Sequence, residues 1–296
     1  MFQEIIDKVW FIPSKDYGRY PYANSLFISD QKKLLIDTGF GKRGIKKLIK
    51  TFGEPDIILY SHAHEDHVPA ENLFPTAKKY IHPNDKLMAT SEEELYRIYG
   101  LSDKREFLKL VATYYKSFHY RPLTSVETFN DKQIFNLGSV QVKVLYSPGH
   151  SAGHCCFEIL DESLVFSSDI DLTSFGPWYG GLDCDINDFK NSIEAVIRKS
   201  PKTILTSHKG MFQNDAVRDN LSQYLYKFQE REEKILYSLE KEQTLEELTS
   251  HALIHGKFVE PKEFFITAER IMLEKHLVIL LETNKLELYH GRFRTL

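Results

Sequence analysis

At 296 residues, with 42% hydrophobic and 27% charged side chains, the chain can bury roughly three-quarters of the surface it would expose unfolded, and needs neither disulfides nor a structural metal to close its core. Its 38 Lys+Arg against 42 Asp+Glu give a net charge of −4 and a pI near 6.3, which argues against a protein whose main task is gripping a polyanion. No apolar run approaches the roughly 18 residues of a membrane helix, the N-terminus lacks the layout of a secretory leader, and the three cysteines (the adjacent Cys155 and Cys156, then Cys184) do not make a disulfide framework, so reduced, buried thiols in a cytoplasmic protein are expected.

In chain order, residues 25–29 (SLFIS) and 33–37 (KLLID) read as two strands of a hairpin turning at Asp30-Gln31. Ile45, Leu48, Ile49 and Phe52 then recur at the spacing of one apolar helix face over 41–52. After Pro55 the run 56–60 (DIILY) is a short buried strand that passes directly into the polar cluster SHAHEDH. Residues 83–120 form a Tyr/Phe-rich helical insertion, either a lid over a site or a helix pair packed on the core.

Strands return at 134–135, 140–146, 155–160 and 164–167; an amphipathic helix covers 187–199; and the strand 202–207 (KTILTS) ends at His208. Beyond residue 213 the composition becomes charged and helical. Thr244 and Glu247 stand in capping-box register, a helix covers about 261–281, and two short strands, 286–289 and 292–295, flank His290-Gly291. The chain therefore divides into a catalytic unit, 1–213, and a small, mainly helical unit, 214–296.

Twelve histidines are present, and they are unevenly placed. His62, His64, Asp66 and His67 fall within six residues. On a helix these side chains would diverge, whereas on a loop leaving a strand they converge, as metal ligands must. His150 (in SPGHSAGH), Asp169 (in VFSSD) and His208 (in LTSHKG) also stand at strand ends. Imidazole and carboxylate suit Zn²⁺ and equally Fe, Mn or Co. Cys155 and Cys156 sit inside a strand and are expected in the core.

The HAHEDH run, SPGHSAGH, the strand-end Asp169 and the later His208 resemble the metallo-β-lactamase superfamily, over residues from about 20 to 210. The resemblance implies an α/β fold, a four-layered αβ/βα sandwich with a binuclear site. It implies that His62, His64 and His150 bind one divalent ion, that Asp66, His67 and His208 bind a second, and that Asp169 bridges them, with Zn²⁺ expected and Fe or Mn as alternatives. The implied activity is hydrolysis of an ester, thioester, lactone or phosphodiester in a small-molecule substrate by a metal-bridging hydroxide that Asp66, as catalytic residue, orients.

Asp37 is either an orienting partner for a ligand histidine or an ordinary turn residue before Gly39. His154 is expected beside the site without ligating. Trp178 and Tyr179 either line the pocket or pack.

Two other activities occur on this fold: a mononuclear-iron persulfide dioxygenase, and an endoribonuclease. The three helices and hairpin after residue 213 resemble a winged helix, but they carry 12 Lys/Arg against 15 Asp/Glu, so a nucleic-acid partner is not favoured over a structural role or a homodimer contact for this segment. One departure from the family pattern is Val68-Pro69-Ala70 where small residues usually follow His67. Pro69 is expected in the first turn of a helix.

Overall fold

A computed structural model describes residues 2–296, with the side chains of residues 105 and 106 excepted. In chain order the first half forms β1 (Gln3–Ile6), β2 (Val9–Ile12), β3 (Ser25–Ser29), β4 (Lys33–Ile36), α1 (Lys42–Phe52), β5 (Ile57–Leu59), β6 (Lys78–Ile81), α2 (Lys86–Thr90), α3 (Glu92–Ile98), α4 (Arg105–Ser117) and β7 (Glu127–Thr128). These strands make a seven-stranded sheet in sequential order, antiparallel from β1 to β4 and parallel from β4 to β7.

The second half adds β8 (Ile134–Asn136), β9 (Gln141–Tyr146), β10 (Cys155–Ile159), β11 (Leu164–Ser168), α5 (Ile186–Lys199), β12 (Thr203–Thr206) and β13 (Met211–Gln213). They form a six-stranded sheet in the order β13-β12-β11-β10-β9-β8, antiparallel except between β11 and β12. The chain ends with α6 (Asp215–Ser238), α7 (Leu245–Ser250), α8 (Lys262–Glu282) and the hairpin β14 (Leu286–Tyr289) to β15 (Arg292–Thr295).

Period-two alternation builds the layers. In β3, Leu26 and Ile28 face the second sheet while Phe27 faces the helices α1 to α4; in β11, Leu164 and Phe166 meet the first sheet while Val165 faces α5 and α6. Two sheets with helices on both outer faces give the αβ/βα sandwich. Cys155 and Cys156 are buried on opposite faces of β10, and all three cysteines are free thiols.

The insertion packs on the core: Leu95, Ile98, Val111, Tyr115 and Phe118 join the apolar layer over the first sheet. Val217, Leu221, Tyr224 and Phe228 of α6 belong to the layer over the second sheet, whereas Ile235, Leu248, Leu273, Leu277 and Leu286 form a cluster among α6, α7, α8 and the hairpin. The capping box forms as the sequence predicts, with Thr244 Oγ1 accepting from Glu247 N (3.2 Å) and Glu247 Oε2 from Thr244 N (2.7 Å). No described helix is long and apolar enough to cross a membrane.

Pro69 does not begin a helix. It lies in the turn before a single 3-10 turn at Glu71–Leu73, because Ala70 takes a left-handed conformation (φ 62) that breaks any right-handed path. The hairpin β1–β2 and the edge strands β7 and β13 are not legible in the sequence, since runs of two to four residues carry too little alternation to read.

Phe157 is fully buried between the two sheets. Phe157→Ala is expected to lower the free energy of unfolding by about 3–5 kcal/mol, measured by urea titration.

Candidate metal centre

The seven residues singled out from sequence meet at one end of the sandwich, beyond the C-terminal ends of β5, β11 and β12 and in the β9–β10 loop. His62, His64, Asp66 and His67 follow β5, His150 lies between β9 and β10, Asp169 follows β11 and His208 follows β12. Three groups among them have ligand atoms close enough to hold an ion: His62, His64 and His150; Asp66, His67 and His208; and His62, His67 and Asp169.

In the first group His64 Nδ1 is 3.0 Å from both His62 Nε2 and His150 Nε2, and the latter two are 3.3 Å apart. In the second, Asp66 Oδ2 is 3.4 Å from His208 Nε2 and 3.8 Å from His67 Nε2. Asp169 stands between the groups: Oδ2 is 3.3 Å from both His150 Nε2 and His208 Nε2, and Oδ1 is 3.3 Å from His67 Nε2.

The rings are aimed by what lies behind them. His150 Nδ1 donates to Trp178 O (3.0 Å), His67 Nδ1 to Asp37 Oδ2 (2.9 Å) and His208 Nδ1 to Gly18 O (2.7 Å). With that N–H committed, each ring turns Nε2 to the centre, the atom that a metal-binding imidazole, once neutral, presents. His67 Nε2 and Asp169 Oδ1 are buried there with no hydrogen-bond partner. This ring nitrogen and carboxylate oxygen face one another at 3.3 Å; against burial, the carboxylates raise the His67 ring well above its ordinary value, and a place that draws positive charge, walled by imidazoles and carboxylates, fits a divalent cation.

The electrostatics agree. Burial pushes His150 down to about 3, and burial with the neighbouring imidazoles holds His62 and His64 below the ordinary value. Burial also opposes charge on His208, yet Asp169 and Asp66 outweigh it and push the ring up to about 10. Burial raises Asp169, but the charges of His208, His67 and His150 hold it well below the usual carboxylate range. One half of the centre therefore offers neutral nitrogens, and the other draws positive charge.

Asp37 proves to be the orienting partner of His67. It also accepts from Ser61 N (2.8 Å) and Ser61 Oγ (2.7 Å). His154 is satisfied on both nitrogens, donating to Ser147 O (2.8 Å) and accepting from Asp169 N (3.2 Å), so it has no lone pair left to ligate. Trp178 and Tyr179 divide: Trp178 packs edge-on to His64 at 5.4 Å, whereas Tyr179 is fully buried away from the centre.

Other supporting residues escape a reading of the sequence. Asp85 accepts from Ala63 N (2.9 Å), Ser151 Oγ (2.9 Å) and Gly153 N (2.5 Å), tying the ligand loop of one sheet to that of the other. Burial, with Asp183 nearby, pushes its carboxyl up to about 7. Glu65, inside the histidine run, accepts from Tyr20 Oη (2.5 Å) and Tyr99 Oη (2.6 Å), and Tyr99 lies 5.6 Å from the His64 ring.

Arg231 of α6, 3% exposed, donates to Pro177 O (2.5 Å), Phe175 O (2.7 Å) and Tyr179 Oη (3.0 Å), holding the loop whose Trp178 carbonyl orients His150. The one available signal for Glu65 is its place as the odd residue of HAHEDH. Asp85 and Arg231 sit in unremarkable local sequence and owe their roles to distant backbone groups.

The pattern of the Metallo-beta-lactamase superfamily matches residues 19–208. An uncharacterized protein of Mycobacterium tuberculosis is 31% identical over 146 residues, which are 46% of this chain and 61% of the relative, so the match spans less than two thirds of that protein's length. The acyl-coenzyme A thioesterase MBLAC2 of Homo sapiens is 22% identical over 241 residues, 75% of this chain and 85% of the relative. Among solved structures, a metallo-beta-lactamase family protein of Thermus thermophilus superposes with a TM-score of 0.76 at 18% identity, covering 99% of this chain and 100% of the other. That likeness is one of fold and extends through the C-terminal helices and hairpin.

Asp37→Ala is expected to weaken divalent-metal affinity by roughly 10- to 100-fold, measured by chelator competition. Arg231→Met, which strands three buried acceptors, is expected to cost about 3 kcal/mol of stability, measured by urea unfolding of metal-free protein.

Proposed function

The chain belongs to the metallo-β-lactamase superfamily, and on that premise we propose that it is a binuclear metal-dependent hydrolase, with Zn²⁺ as the native ion and Fe or Mn as alternatives, acting on a small-molecule thioester. The observation that carries the binuclear reading is the position of Asp169, whose two carboxylate oxygens reach ligand atoms of both groups at 3.3 Å. The thioester is favoured over an ester, lactone or phosphodiester by the likeness to MBLAC2, which extends over 75% of this chain.

His62, His64 and His150 would hold one ion, Asp66, His67 and His208 the other, and Asp169 both. When bound, such ions make water ionisable near neutral pH and stabilise negative charge developing on a carbonyl oxygen. The chain's own residues do the rest. Asp66, in the second group, would orient the nucleophilic water by accepting a hydrogen bond from it. Asp37 and the carbonyls of Trp178 and Gly18 keep three rings in the ligating tautomer, which removes the cost of reorienting them during the reaction. Trp178 and Tyr99 flank the His64 ring. Residues 1–213 carry the chemistry, and 214–296 brace it through Arg231.

The test joins elemental analysis to an assay of butyryl thioester hydrolysis. The wild-type protein is expected to hold two ions per chain, and Asp66→Ala and Asp169→Ala to lose metal and to slow hydrolysis on the order of a hundredfold to a thousandfold. Full metal content and full rate in either variant would overturn the mechanism. A single iron per chain with oxygen consumption on a persulfide would replace it with the dioxygenase reading.

A further inference from the structure

A second cavity, of about 200 Å³, lies outside the metal centre and is lined by Lys42, Asn72, Lys116, His119 and Arg121 together with Ala70. At about 30 Å³ per water molecule, that is room for roughly six or seven waters, or for one or two phosphate groups. Lys42, Lys116 and Arg121 make no side-chain hydrogen bond or ion pair among the described residues. Other cations of the chain are paired, such as Lys8 with Asp30, Lys79 with Glu71 and Lys199 with Glu158, whereas these three gather round one space.

Like charges gathered round one space repel unless an anion joins them. Their field is felt at His119, where burial and then Lys42 and Arg121 hold the imidazole below its ordinary value. Lys42 is also the first residue of the 11-residue α1, whose N-terminus has no side-chain cap, so the free amides and the positive end of the helix dipole add to the potential.

Two residues that line the cavity stand close in the chain to the loops of the candidate metal centre. Ala70 is three residues beyond His67, and its N–H donates to His119 O (3.0 Å). Lys42 is three residues beyond Gly39, which lies so close to the centre that a Cβ there would come within 1.9 Å of Asp66 O. Tyr114 and Phe118, on either side of Lys116, pack against the Tyr20 ring at 6.2 and 6.4 Å, and Tyr20 Oη donates to Glu65 (2.5 Å).

We propose that this cavity binds the phosphate groups of the thiol that carries the acyl chain, so that the substrate is the thioester of a diphosphate-bearing carrier. The inference rests on the thioester reading above and adds to it where the leaving group is held. Two lysines, an arginine and a helix N-terminus supply several donors and more than two positive charges, which a diphosphate matches and a single carboxylate does not.

The test uses the metal-loaded full chain and compares KM for butyryl-coenzyme A with KM for butyryl-pantetheine, which has the same reacting group and no phosphates. Binding of desulfo-coenzyme A, which keeps the phosphates without the thiol, is followed by calorimetry. The KM for the coenzyme A thioester is expected to be at least tenfold the lower. That ratio should collapse towards one in the K42A/R121A double variant and return in K42R/R121K, and desulfo-coenzyme A should bind K42A/R121A at least tenfold more weakly than wild type. Equal KM values in the wild type, or equal binding of desulfo-coenzyme A to wild type and K42A/R121A, would overturn the proposal. If neither thioester is cleaved, the thioester reading fails by itself, and cluster-dependent binding of desulfo-coenzyme A would still support the phosphate site.

Discussion

Everything at the metal centre hangs on a buried knot of hydroxyls and one carboxylate beneath it. Asp37 accepts from the backbone and hydroxyl of Ser61 and from the His67 ring, Ser168 Oγ of the second sheet donates to Ser61 Oγ (2.7 Å), and Ser207 Oγ lies 3.3 Å from Ser168 Oγ. An unpaired carboxylate in that position would be very costly, so the knot forms only when both sheets are in register. Asp37 itself adopts a positive φ of 61, a conformation that costs energy and that its hydrogen-bonding contacts hold in place. The ligand groups draw on both sheets, and the knot sets their separation.

A second constraint acts from above. Asp85 joins the loop after β5 to the loop between β9 and β10, and Arg231 fixes the Phe175–Tyr179 loop that orients His150. The C-terminal helices are therefore continuous with the sandwich in mechanical terms. α6 packs into the sandwich along its first turns and delivers its buried guanidinium to the loop next to the candidate ligands. That gives the acidic tail a role in shaping the centre that needs no nucleic acid partner.

The insertion at 83–120 packs on the core, the second of the two readings its sequence allows, and also borders the candidate site. Its apolar face closes the outer layer over the first sheet, and its tyrosines reach the rim, where Tyr99 holds Glu65 and Tyr114 meets Tyr20. A helix pair that packs and also borders the site does so because its one amphipathic stripe is wide enough to cover the sheet and overhang its end.

Much of this protein is legible in one dimension. The layers follow from alternation in segments such as SLFIS and LVFSS, and the seven candidate ligands follow from histidine and aspartate standing where buried strands end, because strands release their polar residues only at their ends. What alternation does not encode is the partner of each polar group. Asp85 and Arg231 lie in ordinary local sequence, Ser61 only opens the histidine run, and the farthest bonds of Ser61, Asp85 and Arg231 span 107, 68 and 56 residues. Whether Asp37 is a turn residue or an orienting one, whether Trp178 or Tyr179 faces the centre, and whether the lone cations at 42, 116 and 121 share a space are settled only by packing. The order of residues alone fixes which types face water, core and metal, since those preferences are local chemistry. Which nitrogen of each ring faces the centre, and what holds it there, follows only from the folded chain, since a hydrogen bond needs two groups brought within about 3 Å and folding is what brings them.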